Sequence, residues 1–255
     1  MESVSKAVRD PVVDRAASLL IAVAGAQGDI NLASHARALG IPLSSAYRIA
    51  TTLARHGLLA QGLRGHYGPG LALAGLGGQA DPRAILARTA RPLARRLARK
   101  ARATAHLGVF EGDMVTYLIK ESRGVRLFTQ EGGQLEAYCS AIGKVLLAHL
   151  EADEIERYLM SAPFIALTVR TVTDPVLIRN ELVRVRAAGF AIDDREIADD
   201  LVCMAVPVRD PGGTVIAAVS LSRRADVVHH PEPPAALMEC ARAIEARLGS
   251  GSFSE

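Results

Sequence analysis

The sequence predicts an α+β chain in two parts. A small helix-turn-helix unit with a wing is joined by a short helix to a larger unit in which a sheet is flanked by helices. Three observations carry this. Residues 1–70 hold a short helix, a glycine turn, a second helix and a glycine-bounded hairpin. Residues 83–248 mix strand-like runs with amphipathic helix patterns. Charge is also split along the chain. Residues 81–128 carry eleven lysines and arginines against four acidic residues, and residues 129–255 carry twelve against nineteen.

Composition excludes several classes. A chain of 255 residues that is 49% hydrophobic and 22% charged can bury a sizeable core and does not read as disordered. With no tryptophan and 4% aromatics it lacks the stacking inventory of many single-strand binders. No apolar run reaches membrane-spanning length, and Met1-Glu-Ser-Val-Ser-Lys6 has no signal-peptide core. Cys139, Cys203 and Cys240 are few and widely spaced, which argues against a disulfide framework and for a cytoplasmic location.

The elements follow in order. Residues 1–12 are polar and expected to fray. Asp14 is placed to cap a helix ending near Ala24, with Ala17, Leu20, Ile21 and Ala24 at helical spacing. Asn31 caps a second helix, Leu32 to Leu39, which Gly40 ends. Pro42 opens a third, to residue 56, with Ala46, Ile49, Ala50 and Leu53 on one face. A hairpin turns at residues 62–65 and forms the wing, which completes a unit at residues 1–70. Residues 71–82 read as the linker helix. Residues 83–103 read as one strongly basic helix, kinked or reset at Pro92. Such a helix suits either DNA or membrane contact or a solvated packing role.

Strands are expected at residues 104–110, 114–120 and 125–129. Ser140 caps a helix to about Leu150. Helices follow at residues 153–160 and 175–188, then strands at 190–193, 203–209 and 214–222, the last two joined over Asp210-Pro-Gly-Gly213. A helix at residues 234–248 closes the unit 83–248, and residues 249–255 are an expected disordered tail.

The third helix is the centre of the functional reading. Opposite its apolar face lie Ser44, Ser45, Tyr47, Arg48, Thr51, Thr52 and Arg55, and residues 41–59 contain no acid. A hydroxyl-rich, basic face can enter a DNA groove without repelling phosphate. Read alone, it also fits an ordinary surface helix. Arg64 and His66 near the hairpin tip are placed for phosphate or the minor groove.

Five ordered motifs carry a resemblance. They are Pro42-x-Ser-Ser-x-x-Tyr-Arg-Ile-x-x-x-Leu-x-x-x-Gly57, Tyr67-x-x-Gly70, Ala141-x-Gly-Lys-x-Leu-Leu-Ala148, Gly189-Phe-Ala-x-Asp-Asp-x-Glu196 and Cys203-x-Ala-x-Pro-Val208. In their order and spacing the chain resembles the IclR family of bacterial transcriptional regulators over nearly its full length. The resemblance implies a winged helix, a linker helix and a GAF-like effector-binding domain, working as a homodimer, often a dimer of dimers, on a double-stranded DNA operator. It implies effector contacts at Leu127, Leu135, Ala141, Ile142, Asp193, Leu201, Cys203 and Ser220. Two departures stand out. Leu43 replaces a commonly polar or basic residue, and Tyr138-Cys139-Ser140 lacks the usual Pro-x-His lead-in.

The amides of Ala141 and Ile142, at a helix N-terminus, are suited to an anionic effector such as a small organic acid. The expected function is therefore an effector-controlled DNA-binding repressor or activator of a catabolic operon, without cofactor, metal or catalysis. The alternative is a GAF-like thiol redox enzyme or sensor in which Cys139 and Cys203 pair, which requires Cα atoms within roughly 7 Å. Core packing is the competing role for Leu127, Leu135, Leu201 and Cys203. Asp193, Asp194 and Glu196 fit a metal or acid/base set, against which stands the usual solvated role of acidic turn residues, and His229-His230 reads as loop. Lys144 lacks the glycine-rich lead-in of a phosphate-cradling loop.

Overall fold

The computed structural model describes residues 10–26, 28–79, 81–123, 127–225 and 233–250. The chain divides into two compact units, Met1–Asp81 and Pro82–Glu255.

In the first unit, α1 (Pro11–Ala24), α2 (Leu32–Ala38) and α3 (Leu43–Arg55) pack around Leu19, Val23, Leu32, Ala36, Ala46, Ile49 and Ala50. Strands β1 (Ile30–Asn31), β2 (Leu59–Gln61) and β3 (His66–Pro69) form an antiparallel sheet in the order β1-β3-β2, and α4 (Leu71–Gln79) follows. The cap of α1 is Asp10, which accepts the amides of Val12 and Val13, and not Asp14. Pro11 has no N–H, so the residue before it closes the first turn. The face of α1 is corrected as well: Leu19 and Val23 are buried while Ile21 is 71% exposed. Asn31 caps α2 through the Ser34 amide, as expected.

The second unit is a six-stranded antiparallel sheet in the order β6-β5-β4-β9-β8-β7. Its strands are β4 (Thr104–Glu111), β5 (Met114–Ser122), β6 (Gln134–Glu136), β7 (Ala191–Asp194), β8 (Leu201–Arg209) and β9 (Val215–Arg224). One face is covered by α5 (Pro82–Ala101) and α9 (Ala235–Ser250), packed on Ala105, Leu107, Ile119, Val206 and Val219. The other carries α6 (Ala141–Leu147), α7 (Ala152–Leu159) and α8 (Pro175–Ala188), around Val115, Tyr117, Val145, Leu146 and Ile178. Glycines let α6 lie this close. A Cβ on Gly143 would stand 2.2 Å from the Ala137 carbonyl oxygen, and one on Gly108 would meet Ile142 at 3.0 Å.

Three expectations are revised. Helix α5 runs through Pro92 as one element, because Leu86, Ala90 and Leu97 on either side are buried in the same core and outweigh the lost helical bond. Residues 127–129 form no strand: the free edge of β5 is taken by β6, paired Val115 to Leu135. Residue 125 lies outside the described residues, as do His229, His230, residues 1–9 and residues 251–255. Helix α9 continues to Ser250, past the expected start of the tail.

Candidate functional sites

In the first unit the apolar stripe of α3 is spent on the core, with Ala46, Ile49 and Ala50 buried. That turns Ser44, Tyr47, Arg48, Thr51, Thr52 and Arg55 outward, with Ser45 half-buried. The Thr52 hydroxyl donates to the Arg48 carbonyl at 2.9 Å and so lies along its own helix. Leu43 is 49% exposed on the first turn. The wing is the β2–β3 hairpin, closed by Gly62 N–H donating to His66 O at 2.8 Å. Arg64 sits exposed at its tip with left-handed backbone (φ 52°), and the His66 ring lies 3.0 Å from the Leu63 carbonyl. Tyr47 reaches toward the wing, its hydroxyl standing 3.1 Å from where a Cβ on Gly65 would be. The seven residues expected at DNA thus share this unit, five on α3 and two on the wing.

The second unit holds a cavity between α6 and the sheet. Its lining includes all eight residues expected at an effector: Leu127, Leu135, Ala141, Ile142, Asp193, Leu201, Cys203 and Ser220. His106, Tyr117, Thr129, Ser140 and Ser222, not foreseen, complete its polar wall. The enclosed space is only about 10 Å³, room for one water.

The wall follows from strand register. Asp193 pairs with Cys203, Cys203 with Ser222 and Ser222 with Thr104, a row of polar side chains across four strands. Burial of polar groups is costly unless they are bonded, and these are. Cys203 Sγ donates to Ser222 Oγ at 3.1 Å, Ser222 Oγ lies 3.4 Å from His106 Nδ1, and His106 Nε2 lies 2.9 Å from Thr129 Oγ1. Asp193 Oδ1 accepts the amides of Glu196 at 2.8 Å and Ile197 at 3.4 Å.

Burial sets their charge. It pushes the Asp193 carboxyl up to about 7, against the pull of the Glu196 amide. It pushes His106 down to about 3, with the nearby Lys120 charge adding to the effect, so the ring is neutral. The Tyr117 phenol and the Cys203 thiol are both raised by burial and stay protonated. The wall therefore presents hydrogen-bonding groups with little fixed negative charge below pH 7. At the other side, Ser140 caps α6 by accepting the Gly143 amide at 3.1 Å. The amides of Ala141 and Ile142, in the first turn, have no acceptor within their own helix.

Behind the cavity, Lys144 on α6 is 1% exposed. Its ammonium donates to Glu181 at 2.7 Å, to Glu196, and to the Ile192 carbonyl at 3.2 Å. Asp193 and Glu196 are not solvated turn acids: they are 1% and 6% exposed, drawn in by these amides and by Lys144. Asp194 alone of the three is exposed, paired with Arg170 and Arg195. No group of three or more His, Cys, Asp or Glu among the described residues could hold a metal ion.

The redox alternative loses its footing. All three cysteines are free thiols. Burial raises each, Cys240 to about 11, so none is poised as a thiolate. The basic helix α5 packs on the sheet, and three of its arginines pair with acids of the same unit: Arg83 with Glu111 at 2.5 Å, Arg91 with Glu131 at 2.7 Å and Arg95 with Glu121 at 3.1 Å. No helix among the described residues is long and apolar enough to cross a membrane.

A winged helix-turn-helix unit and a separate GAF-like α/β unit enclosing a buried polar cavity are the parts of a DNA-binding transcriptional regulator. Comparison with known proteins gives the same class. Residues 12–62 match the IclR helix-turn-helix domain, and residues 81–246 match the bacterial transcriptional regulator IclR C-terminal domain. The chain belongs to the IclR family of bacterial transcriptional regulators. It is 33% identical over 215 residues to the transcriptional regulator BhcR of Paracoccus denitrificans, covering 82% of this chain and 76% of that one. It is 32% identical over 231 residues to the transcriptional regulator KdgR of Escherichia coli, covering 88% of each. Among solved structures it is similar to an IclR homologue from Microbacterium hydrocarbonoxydans complexed with 4-hydroxybenzoate. That likeness has TM-score 0.63 and 27% identity, over 94% of this chain and 100% of that one.

Proposed function

We infer that this regulator binds operator DNA through α3 and the wing, and that a small organic acid in the cavity of the second unit controls it. One observation carries the effector half. Eight residues spread from 127 to 220 meet at a single cavity whose polar wall includes the bonded chain Cys203, Ser222, His106 and Thr129. A plain core would fill that space with apolar groups at lower cost. The acid class is supported by the Ala141 and Ile142 amides at the positive end of α6, and by a wall that carries little negative charge. The complex of the Microbacterium relative with 4-hydroxybenzoate is consistent with it.

On DNA, Ser44, Ser45, Tyr47, Arg48 and Thr52 face the major groove, with Arg48 making a base or phosphate contact, and Arg64 and His66 act from the wing. A homodimer reads two half-sites, with a dimer of dimers as the larger assembly, and the acid shifts a two-state equilibrium by its differential affinity. The gene set is a catabolic operon for that acid. A thermal-shift screen of organic acids on the full chain tests the effector half, since an effector raises the melting temperature by mass action. An operator mobility shift with and without the acid that stabilises the protein joins the two halves. An acid that binds and leaves operator affinity unchanged refutes the control mechanism.

A further inference from the structure

We propose that Lys120, whose ammonium holds the 127–129 segment over the cavity, is the cation that receives the effector's carboxylate. This rests on the reading of the cavity as an acid site.

The acid reading needs a counter-charge. The seven residues of α6 supply only the partial charge of a short helix. Lys144 cannot serve, because its ammonium is already held by Glu181 and Glu196. Lys120 differs from it. It lies on β5 opposite His106 of β4, so it belongs to the polar end of the sheet. Its ammonium donates to the Leu127 carbonyl at 2.8 Å and to the Thr129 carbonyl, and both residues line the cavity. Among the described residues no carboxylate pairs with it. A lysine whose charge is met only by neutral carbonyls holds weak partners, and a carboxylate is a stronger one.

The small size of the cavity favours such an exchange. About 10 Å³ admits no organic acid. Most of the lining is rigid: His106, Ala141, Ile142, Asp193, Leu201 and Ser220 are buried in strands or in α6. The 127–129 segment lies outside the strands and helices, with Phe128 64% exposed and its neighbours half-buried. An incoming carboxylate that takes Lys120 removes its two bonds to Leu127 and Thr129 and leaves the segment with the 2.9 Å contact of the Thr129 hydroxyl to His106. One event then supplies the counter-charge and opens the space.

The test measures affinities by thermal shift and calorimetry, on the full chain and on Lys120→Met and Lys120→Arg. The probes are 4-hydroxybenzoate, 2-oxobutyrate and succinate, each with its neutral amide. The expected result is that the acid which binds the wild type binds Lys120→Met about 10- to 100-fold more weakly, the worth of one charged hydrogen bond. Lys120→Arg keeps most of the affinity, and the amide binds wild type and Lys120→Met alike. Equal affinity of the acid for wild type and Lys120→Met overturns the assignment of Lys120 alone and leaves the cavity reading standing. A wild type that binds none of the acids overturns the acid reading, and the role of Lys120 with it. If Lys120→Met does not fold, the arginine variant and the acid-to-amide ratio on the wild type decide. A ratio near one refutes the proposal.

Discussion

Replacing Lys144 by methionine separates the ionic contribution of the buried triad from its packing. The side chain is of similar length, so the volume is kept while the charge is lost. What remains is Glu196, 6% exposed, whose Oε2 already has no hydrogen-bond partner. Removing the cation leaves a buried charge uncompensated, which costs about 3–5 kcal/mol at neutral pH. Glu181 is less exacting, because its side chain is 22% exposed and can be solvated.

Glu196 has an escape, since it can take a proton. Burial already raises its pKa, and Lys144 is the main group opposing that rise, with the Val172 backbone amide adding to the opposition. In the variant the folded carboxyl titrates higher still. A group raised in the folded state stabilises fully below its unfolded pKa and loses that contribution as pH rises through the folded one. The deficit of Lys144→Met is therefore small near pH 5 and large at pH 8. Urea unfolding followed by the near-ultraviolet dichroism of Tyr117, Tyr138 and Tyr158, all buried in the second unit, measures it. Lys144→Met/Glu196→Gln should recover most of the loss at pH 8. A single variant within about 1 kcal/mol of wild type at pH 8, or a double variant no better than the single, refutes the reasoning.

Further outcomes follow from the same geometry. Gly143→Ala drives a methyl into the Ala137 carbonyl and should lower stability by about 3 kcal/mol or abolish soluble expression, read by thermal melting. Arg48→Ala should weaken operator binding about tenfold or more and reduce the salt slope by about one if the contact is to phosphate, read by fluorescence anisotropy across a salt series. An unchanged mobility shift removes Arg48 from the interface. Asp193, raised to about 7 from 3.8, should make the protein lose stability as pH climbs from about 4 through 7, by an amount on the order of 4 kcal/mol. His106, lowered from 6.5 to about 3, acts the opposite way and removes stability as pH falls below about 6.5. The two slopes offset each other between about 4 and 6.5, so the difference between wild type and Asp193→Asn is the measurement. That difference should grow toward pH 7, and a flat one discards the buried-carboxyl assignment.

The first unit was legible almost residue by residue because its signals are local. Asn31, Gly40, Pro42 and Gly57 punctuate helices, and the step of three and four from Ala46 to Leu53 assigns a face with no knowledge of a partner. The error at α1 shows the limit of that logic. The sequence offers two apolar stripes there, Ala17-Leu20-Ile21-Ala24 and Leu19-Val23, and only packing against α3 selects the second. At residues 127–129 the local pattern was strand-like, and a long-range fact, the pairing of β5 with β6, overrode it.

The cavity was legible only through resemblance, and its unforeseen residues show why. His106 and Ser222 lie in strands buried on both faces, where a polar side chain stands out only against a known register. A period of two was present, since Thr104, His106 and Gly108 alternate with Ala105, Leu107 and Val109. That alternation places one face of β4 against α5 and the other toward α6, and in most antiparallel sheets it would mark solvent. Here the polar face is roofed by α6 and residues 127–129. A polar row under a roof is either an unfavourable core or a site, and the bonded chain from Cys203 through Ser222 and His106 to Thr129 favours a site. Lys120 marks where the roof is fastened. Under the Lys120 proposal an entering acid competes for that fastening, and the chemistry of the latch then restricts the ligand class more tightly than the shape of the cavity does.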